Sequence, residues 1–407
     1  MKPTLLVLKH GGPSKARALR AAGQVANLIV VDDDPDPPKD LLCEHLDDLR
    51  IETVVEFLQR SGREVDGVLT FVDPATARAA ALARRLGLPS LDPTQARLVK
   101  DKLEMRRSLA SRSFPQPHFT AVRDGTPEDL GEFRFPAVLK PSHGAYGLGI
   151  TRVARAEEIR TALDEARARC ATGLLGRYLE SREDSFLLEE WIPGIELSIE
   201  VWGHPTAPQV LAIHEKTIGQ VGNSFREERF VTAPWTLGPA ELDLIESRAA
   251  SIVHGLGFDR GIGNLEARWN GDQLMPLELQ LCPAGGRVAD MVLASHGLDL
   301  HALHAQAALE ATPSTLALSP ARCAAAMDLV HSPEPGSFRV DGIERVRACP
   351  NVVCVGIPRV EGTVVDVDSE YLGFVVAQGP TPGEAIRAAE EARGLLSIEV
   401  TPNPDRA

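Results

Sequence analysis

Residues 135–149 read Phe135-Pro136-Ala137-Val138-Leu139-Lys140-Pro141-Ser142-His143-Gly144-Ala145-Tyr146-Gly147-Leu148-Gly149. An apolar run of strand length ends in Lys140. A loop with three glycines follows, and a second apolar run starts at Ile150. Glycines let backbone N–H groups turn towards phosphate oxygens and take up positive φ. A lysine at a strand end adds a compact charge for a phosphate. Lys140, Ser142, Gly144, Gly147 and Gly149 are therefore candidate phosphate-binding residues. The plain alternative is a surface hairpin with an ordinary lysine. No Walker A pattern, GxxxxGK followed by Ser or Thr, occurs in the chain.

The lysine gains weight from the composition. Lys and Arg together number 43 in 407 residues. Only eight are lysines (2, 9, 15, 39, 100, 102, 140 and 216), leaving 35 arginines. Asp and Glu number 57, for a net charge of -14. That balance argues against nucleic acid as a partner, because phosphate backbones need a basic face. The 43% apolar content suffices for ordinary cores, and no run of about 18 apolar residues spans a bilayer. Met1-Lys2-Pro3 leads into a strand-like run too short for a signal peptide. The six cysteines form no CxxC, so free thiols and a cytoplasmic location are expected.

A second stretch, Gly263–Leu281, reads as two strands around an Asn270-Gly271 turn, each with a glutamate among apolar neighbours. Mg²⁺ is held by one or two carboxylates plus nucleotide phosphates, so Glu266 and Glu278 on facing strands would suit it. Parity decides. A two-residue loop puts Glu266 opposite Met275 and sends Glu278 to the other face. An odd loop centred on Gly271 puts Glu266 opposite Pro276 and Asn264 opposite Glu278. The two glutamates are then diagonal neighbours on one face, with Gln280 beside them. The metal reading predicts the odd loop, with a bulge.

Around these stretches the chain alternates. Strands Thr4–Leu8, Asn27–Val31 and Val65–Val72 interleave with helices Ser14–Ala22, Thr53–Ser61 and Thr76–Leu86, which predicts a small parallel sheet. Gly11-Gly12 follows the first strand, but GxGxxG is absent. A helix is expected over Asp101–Ser111, another over Pro239–His254 and a third over Gly297–Glu310. The stretch Thr312–Pro320 reads as a linker. After it come strands Arg322–Val330, Val352–Pro358 and Leu372–Gly379 and a helix Thr381–Leu395.

The two stretches, in this order and separation, resemble the ATP-grasp superfamily of carboxylate–amine ligases. The resemblance implies a mixed α/β and α+β fold: an N-terminal α/β domain (1–100), an ATP-grasp domain (101–320) with a lid at about 115–187, and a small C-terminal α/β domain (321–407). Lys102 resembles the family's first phosphate lysine. Leu187–Glu196 resembles the hinge that reads adenine and ribose. There Glu189, Glu190 and Ile192 would meet the base, and Glu196 the ribose hydroxyls. Lys216 resembles a further cation near the γ-phosphate, and Phe225–Pro234 a substrate loop. Gly342–Val346, Gly362–Val365, Leu372–Ala377 and Thr381–Glu391 resemble the C-terminal domain of L-amino-acid ligases, which join amino acids into dipeptides.

One departure stands out. The family reads Glu-x-Asn-x-Arg on the second metal strand, and here the positions are Glu278, Gln280 and Cys282. Glu266, Glu278 and Gln280 are the implied metal ligands. Arg287 or Arg268 would replace the missing arginine, with Arg287 favoured by its place after Gly285-Gly286. The resemblance implies ATP and Mg²⁺ (or Mn²⁺) as cofactors, a carboxylate and an amine as substrates, a homodimer, and an amide or dipeptide formed through an acyl phosphate. A carboxylase or other ATP-grasp ligase with a different nucleophile, and an ATP-binding chain with degenerate catalysis, would share the same nucleotide site.

Overall fold

The computed structural model describes residues 2–34, 43–123, 126–131, 133–144, 147–171, 186–232, 235–365 and 371–402. The expected N-terminal sheet is present and parallel: β1 (Thr4–Leu8), β2 (Asn27–Asp32), β3 (Cys43–His45) and β4 (Gly67–Leu69), in the order β3-β2-β1-β4. Helices α1 (Ala16–Val25), α2 (Ile51–Ser61) and α3 (Thr76–Arg85) connect and cover it. Side chains of β1 alternate between two cores. Leu6 and Leu8 meet Val54, Leu58 and Leu82, while Leu5 and Val7 meet Ala18 and Leu19. The third strand, β3, is too short and polar to show as an apolar run.

Two capped helices lead into the next region. Asp92 caps α4 (Pro93–Lys100), and Asp101 caps α5 (Lys102–Ser111) by accepting from the N–H groups of Leu103 and Glu104. Such a cap is worth about 1 kcal/mol and here fixes Lys102 as the first helical residue. The stretch expected to be the lid carries a five-stranded antiparallel sheet, β6-β5-β9-β7-β8. It comprises β5 (Phe119–Arg123), β6 (Thr126–Pro127), β7 (Ala137–Pro141), β8 (Thr151–Val153) and β9 (Phe186–Glu190). Helix α6 (Ile159–Ala171) covers it through Ile159, Leu163 and Ala166.

The remaining strands are β10 (Ile195–Gly203), β11 (Gln209–Val221), β12 (Ser224–Thr232), β13 (Gly261–Trp269), β14 (Leu274–Gln280), β15 (Ala324–His331), β16 (Gly336–Asp341), β17 (Val352–Gly356), β18 (Val364–Val365), β19 (Tyr371–Gly379) and β20 (Ser397–Pro402). Eight of them form one sheet, β14-β13-β10-β11-β12-β15-β19-β17, and β18-β16-β20 form a small one. The large sheet runs without a break across residue 320. One face of β10 and β13 (Leu197, Ile199, Val201, Leu265, Ala267) packs on α7 (Pro239–Gly255) through Ile245, Ala249 and Ile252. Each such fully buried aliphatic side chain contributes about 1.5–3 kcal/mol. The opposite face carries Glu196, Ser198 and Glu200 on β10 and Asn264, Glu266 and Arg268 on β13.

Two local expectations are corrected. Phe225–Thr232 is not a loop: it belongs to β12, with a shift in register between Thr217 and Ile218 of its partner strand, and residues 233–234 lie outside the described residues. The helix expected over Gly297–Glu310 is present but shorter and starts later. Gly297, at φ 73°, ends α8 (Val288–His296), and Asp299 caps a new helix α9 (Leu300–Ala307). α10 (Ile343–Arg347) and α11 (Pro382–Arg393) complete the chain.

Candidate active site

The carboxylate strands meet in an unexpected way. The loop between β13 and β14 is even, with Trp269 opposite Leu274, Arg268 opposite Met275 and Ala267 opposite Pro276. A bulge then intervenes, and Glu266 lies directly opposite Glu278, with Asn264 opposite Gln280. The odd loop and the diagonal placement are therefore wrong, while the shared face holds: the extra residue Leu277 alone changes the parity. Arg106, fully buried, holds the bulge. Its Nη1 donates to the Pro276 carbonyl at 2.6 Å and its Nη2 to that of Leu277 at 3.3 Å.

Lys102 sits against this pair. Its Nζ lies 2.8 Å from Glu278 Oε2 and donates to the Gly144 carbonyl at 3.3 Å, and its backbone N–H donates to the Ser142 carbonyl at 2.8 Å. The start of α5, the glycine loop and β14 are thus tied at one residue. Burial alone would pull the Lys102 ammonium down, but the Glu278 carboxylate outweighs it and raises it. Glu278 is the converse: burial would raise it, and Lys102 holds it well below the carboxylate range. Glu266 is pushed up to about 8, by burial first and then by the neighbouring Glu278, against the pull of Lys216.

Lys140 is buried at the end of β7, 2.7 Å from Glu189 Oε2. Glu189 also takes Arg106 Nε at 2.6 Å. With two cations on one carboxylate, Glu189 falls to about 2 despite its burial. Lys140 shares that carboxylate with Arg106, so burial dominates and lowers it to about 8. The loop beyond it turns through Gly147 and Gly149, at φ 70° and 76°. A Cβ on Gly149 would lie 2.8 Å from Cys170 Sγ, so glycine is required there on two grounds. Ser142 is fully buried, its hydroxyl 3.0 Å from His143 Nδ1. Tyr146 lies outside the described residues. Lys102, Lys140, Gly144, Gly147, Leu148 and Glu278 line an open cleft of about 230 Å³.

The hinge adjoins this cleft. The N–H of Glu190 donates to His118 and that of Trp191 to Pro136, both carbonyls, so neither is available to a base. The Ile192 N–H has no backbone acceptor among the described residues. The Glu190 carboxylate accepts from the Arg134 N–H. Glu196 binds Arg268 through Nε and Nη2 at 3.1 and 3.0 Å, and Lys216 at 2.9 Å. These cations lower it against its burial. Arg268 also donates to the Ile192 carbonyl at 2.8 Å and lies over the Trp191 ring at 4.5 Å. Arg268 is thus engaged by the hinge residues Glu196, Ile192 and Trp191. Lys216 joins the hinge to the metal row through Glu196, Glu227 at 2.6 Å and Glu266 at 3.4 Å. Those carboxylates outweigh burial and raise it well above the usual range.

Cys282 is buried and its thiol is pushed up to about 12, chiefly by burial, so it is neutral. Arg287 is 2.7 Å from Asp290 and lies over the Phe374 ring at 5.1 Å. Sequence reasoning missed Arg106 and Glu200. Glu200 is fully buried, raised to about 8 by burial, and bonded to Asn264 Nδ2 and the Ala284 N–H, each at 3.2 Å. His214 is buried against Thr232 Oγ1 at 2.9 Å. The available signal was parity, since Glu200 falls two and four residues from Ser198 and Glu196 on the same strand.

The donor set fits a nucleotide with a divalent cation. Among the described residues no group of three or more His, Cys, Asp or Glu could hold an ion alone. Glu266 and Glu278, with Gln280 donating to Glu278 Oε1 at 3.1 Å, would supply part of an oxygen shell that nucleotide phosphates complete. A cation there would relieve the repulsion that raises Glu266.

Comparison with known proteins agrees with this geometry. A family model described as an ATP-grasp domain matches residues 133–292, one described as an ATP-grasp N-terminal domain matches 4–90, and one described as L-amino acid ligase C-terminal domain 2 matches 329–401. Residues 133–292 thus form an ATP-grasp domain. An L-amino acid ligase structure from Bacillus licheniformis superposes with TM-score 0.84 at 21% identity, covering 98% of this chain and 99% of that one. The biotin carboxylase domain of a Hydrogenobacter thermophilus 2-oxoglutarate carboxylase, solved with MgADP and bicarbonate, gives 0.72 at 15% over 98% and 91%. In sequence, "Uncharacterized protein y4rH" of Sinorhizobium fredii is 24% identical over 88% of this chain and 74% of its own length. A D-alanine–D-alanine ligase of Mannheimia succiniciproducens is 24% identical over 53% of this chain and 66% of its own. Among the described residues no helix is long and apolar enough to cross a membrane.

Proposed function

We propose that this chain is an ADP-forming ligase that joins a carboxylate, an amino acid or small acid, to an amine through an acyl phosphate, giving an amide or dipeptide. The observation that carries the reading is the bulged register that sets Glu266 opposite Glu278 under Lys102, beside Lys140 and the glycine loop. In the first step a carboxylate oxygen attacks the γ-phosphorus, and the bond to the ADP oxygen breaks. In the second an amine attacks the acyl carbon, the bond to phosphate breaks, and the nitrogen loses a proton. The chain's part is charge neutralisation and alignment. Lys102 and Lys140 meet phosphate oxygens, and the loop Ser142–Gly149 closes over them and excludes water from the acyl phosphate. Ile192 receives the base and Glu196 the ribose, with Lys216 and Arg268 holding that carboxylate in place. Mg²⁺ on Glu266, Glu278 and Gln280 would neutralise charge on the transferring phosphoryl.

The test is a panel of amino-acid pairs scored for ADP release and product mass. ADP release that needs both an acid and an amine, with a product at the summed mass less water, supports the reading. ADP release with bicarbonate in place of the pair would sink it. The neutral, buried Cys282 favours a second reading, nucleotide binding with little turnover. Tight ATP binding with no ADP from any pair would establish that one.

A further inference from the structure

Each carboxylate that would hold the metal already faces a lysine of this chain. Lys102 Nζ lies 2.8 Å from Glu278 Oε2, and Lys216 Nζ lies 3.4 Å from Glu266 Oε2. The other oxygen of Glu278, Oε1, accepts from Gln280 Nε2 at 3.1 Å. The two lysines differ in what else they hold. Lys216 has Glu196 at 2.9 Å and Glu227 at 2.6 Å, and Glu266 is its longest contact. It stays paired if Glu266 turns to another cation. Lys102 has Glu278 as its one carboxylate partner among the described residues. Its Nζ otherwise donates to the Gly144 carbonyl, at 3.3 Å. Its backbone N–H is held by the Ser142 carbonyl, and Asp101 caps the helix that it starts. The side chain is therefore the part that can move.

Lys102 is 8% exposed. An ammonium parted from Glu278 there would stand unpaired and largely out of water, which is costly. A divalent ion such as Mg²⁺ needs the same carboxylate at about 2.1 Å, and two cations against one buried carboxylate repel strongly. Glu278 therefore turns to a metal only when another anion takes up Lys102. The cleft offers the place, since Lys102, Lys140, Glu278, Gly144 and Gly147 line it together. Lys140 takes no part in the exchange, because its partner is Glu189 at 2.7 Å. We infer that Lys102 is an internal counter-cation on Glu278, which keeps a divalent ion out until nucleotide phosphates draw the lysine away. The inference rests on the phosphate and metal roles proposed above and adds the regulation of that site. One charge serves twice, on the carboxylate before the nucleotide arrives and on the phosphates after it. By linkage, metal and nucleotide then raise each other's affinity by the same factor.

The experiment titrates Mn²⁺ into the full-length protein by calorimetry, with no nucleotide added. Lys102→Met should bind Mn²⁺ about tenfold more tightly than the wild type, or better. Adding Glu278→Gln should remove that gain, which ties it to this carboxylate. Lys102→Arg keeps the charge and should stay within about threefold of the wild type. Lys140→Met takes a charge from the same cleft but not from Glu278, and should also stay within about threefold. An unchanged Mn²⁺ affinity in Lys102→Met overturns the inference. So does an equal gain in Lys140→Met, which would reflect the general field of the cleft. If Lys102→Met does not fold, the wild type decides by melting. Its Tm rise with Mn²⁺ and a non-hydrolysable ATP analogue together should exceed the sum of the separate rises. A joint rise no greater than that sum overturns the inference. No arm needs turnover. An unchanged Mn²⁺ affinity in a protein that still releases ADP sinks this inference alone. No ADP from any substrate pair sinks the ligase reading and leaves the metal titrations to decide this one.

Discussion

Lys140 and Glu189 form a buried ion pair whose members titrate far from their ordinary values, and the pH consequences differ in sign. Glu189 is lowered from 4.5 to about 2, so its stabilisation is complete above about pH 4.5 and is lost as pH falls towards 2. Lys140 is lowered from 10.5 to about 8. Between those values the unfolded chain holds the extra proton, so this group makes stability rise with pH over that window. Activity moves the other way. Above about pH 8 the free enzyme loses the Lys140 charge, so kcat/KM for ATP should fall, up to tenfold per pH unit. Lys140→Arg should flatten that limb, and a wild-type profile level from pH 7 to 9.5 would refute the assignment. Glu278→Gln removes both a metal carboxylate and the Lys102 pair, and should cost about 10²–10³-fold in kcat with a raised Mg²⁺ requirement. These lysines were legible because lysine is scarce in an arginine-rich chain: three of the eight, 102, 140 and 216, are buried at the site. Arg106 was not legible. One arginine among 35, on a helix, gives no sign that its partners lie on a hinge strand and a bulge about 80 and 170 residues away.

At the scale of elements, the bulge in β14 is what brings the two carboxylates together. Counting along the sequence established that a change of parity was needed, but not where it would fall. The Asn270-Gly271 pair pointed to the turn, whereas the turn is even and Leu277 makes the shift. A bulge is a property of the partner strand and of whatever satisfies the carbonyls that the ladder drops, and here that is Arg106 on α5. Arg106→Leu should therefore act in two places. It leaves the Pro276 and Leu277 carbonyls buried without donors and Glu189 with one cation in place of two. Removing one partner of a buried ion pair costs about 3–5 kcal/mol. The expected result is a lower urea midpoint together with a raised Mg²⁺ requirement for ADP release. A variant with full stability and an unchanged Mg²⁺ requirement would show that the bulge holds without its clamp.

At the scale of the molecule, the long-range pairing of strands was the least legible feature. The alternation of the first hundred residues was readable because a short local helix follows each of β1, β3 and β4. The strand Arg322–Val330 was also readable as a strand, but its partner was not. β15 pairs with β12, from Arg229 opposite Asp328 to Thr232 opposite Ala325, and carries β19 and β17 onto the nucleotide-binding sheet. Linker composition at Thr312–Pro320 therefore marks a loop, while the sheet passes it by. The junction is well built. Arg229 donates to both Asp328 oxygens, at 2.5 and 3.0 Å, and reaches Glu390 on α11 at 2.8 Å. Met291 and Val292 of α8 pack on Met327 and Leu329. A chain ending at Pro320 would bare the β12 edge, with Phe230 and Val231 along it, and would strip that face of α8. Open apolar edges recruit other chains, so the shortened protein should aggregate or lose its cooperative melt, read by light scattering and circular dichroism beside the full chain. Recovery of residues 1–320 as a soluble monomer, binding an ATP analogue within about twofold of the full chain, would show instead that the nucleotide sheet is complete at β12 and that β15, β19 and β17 are an addition to it.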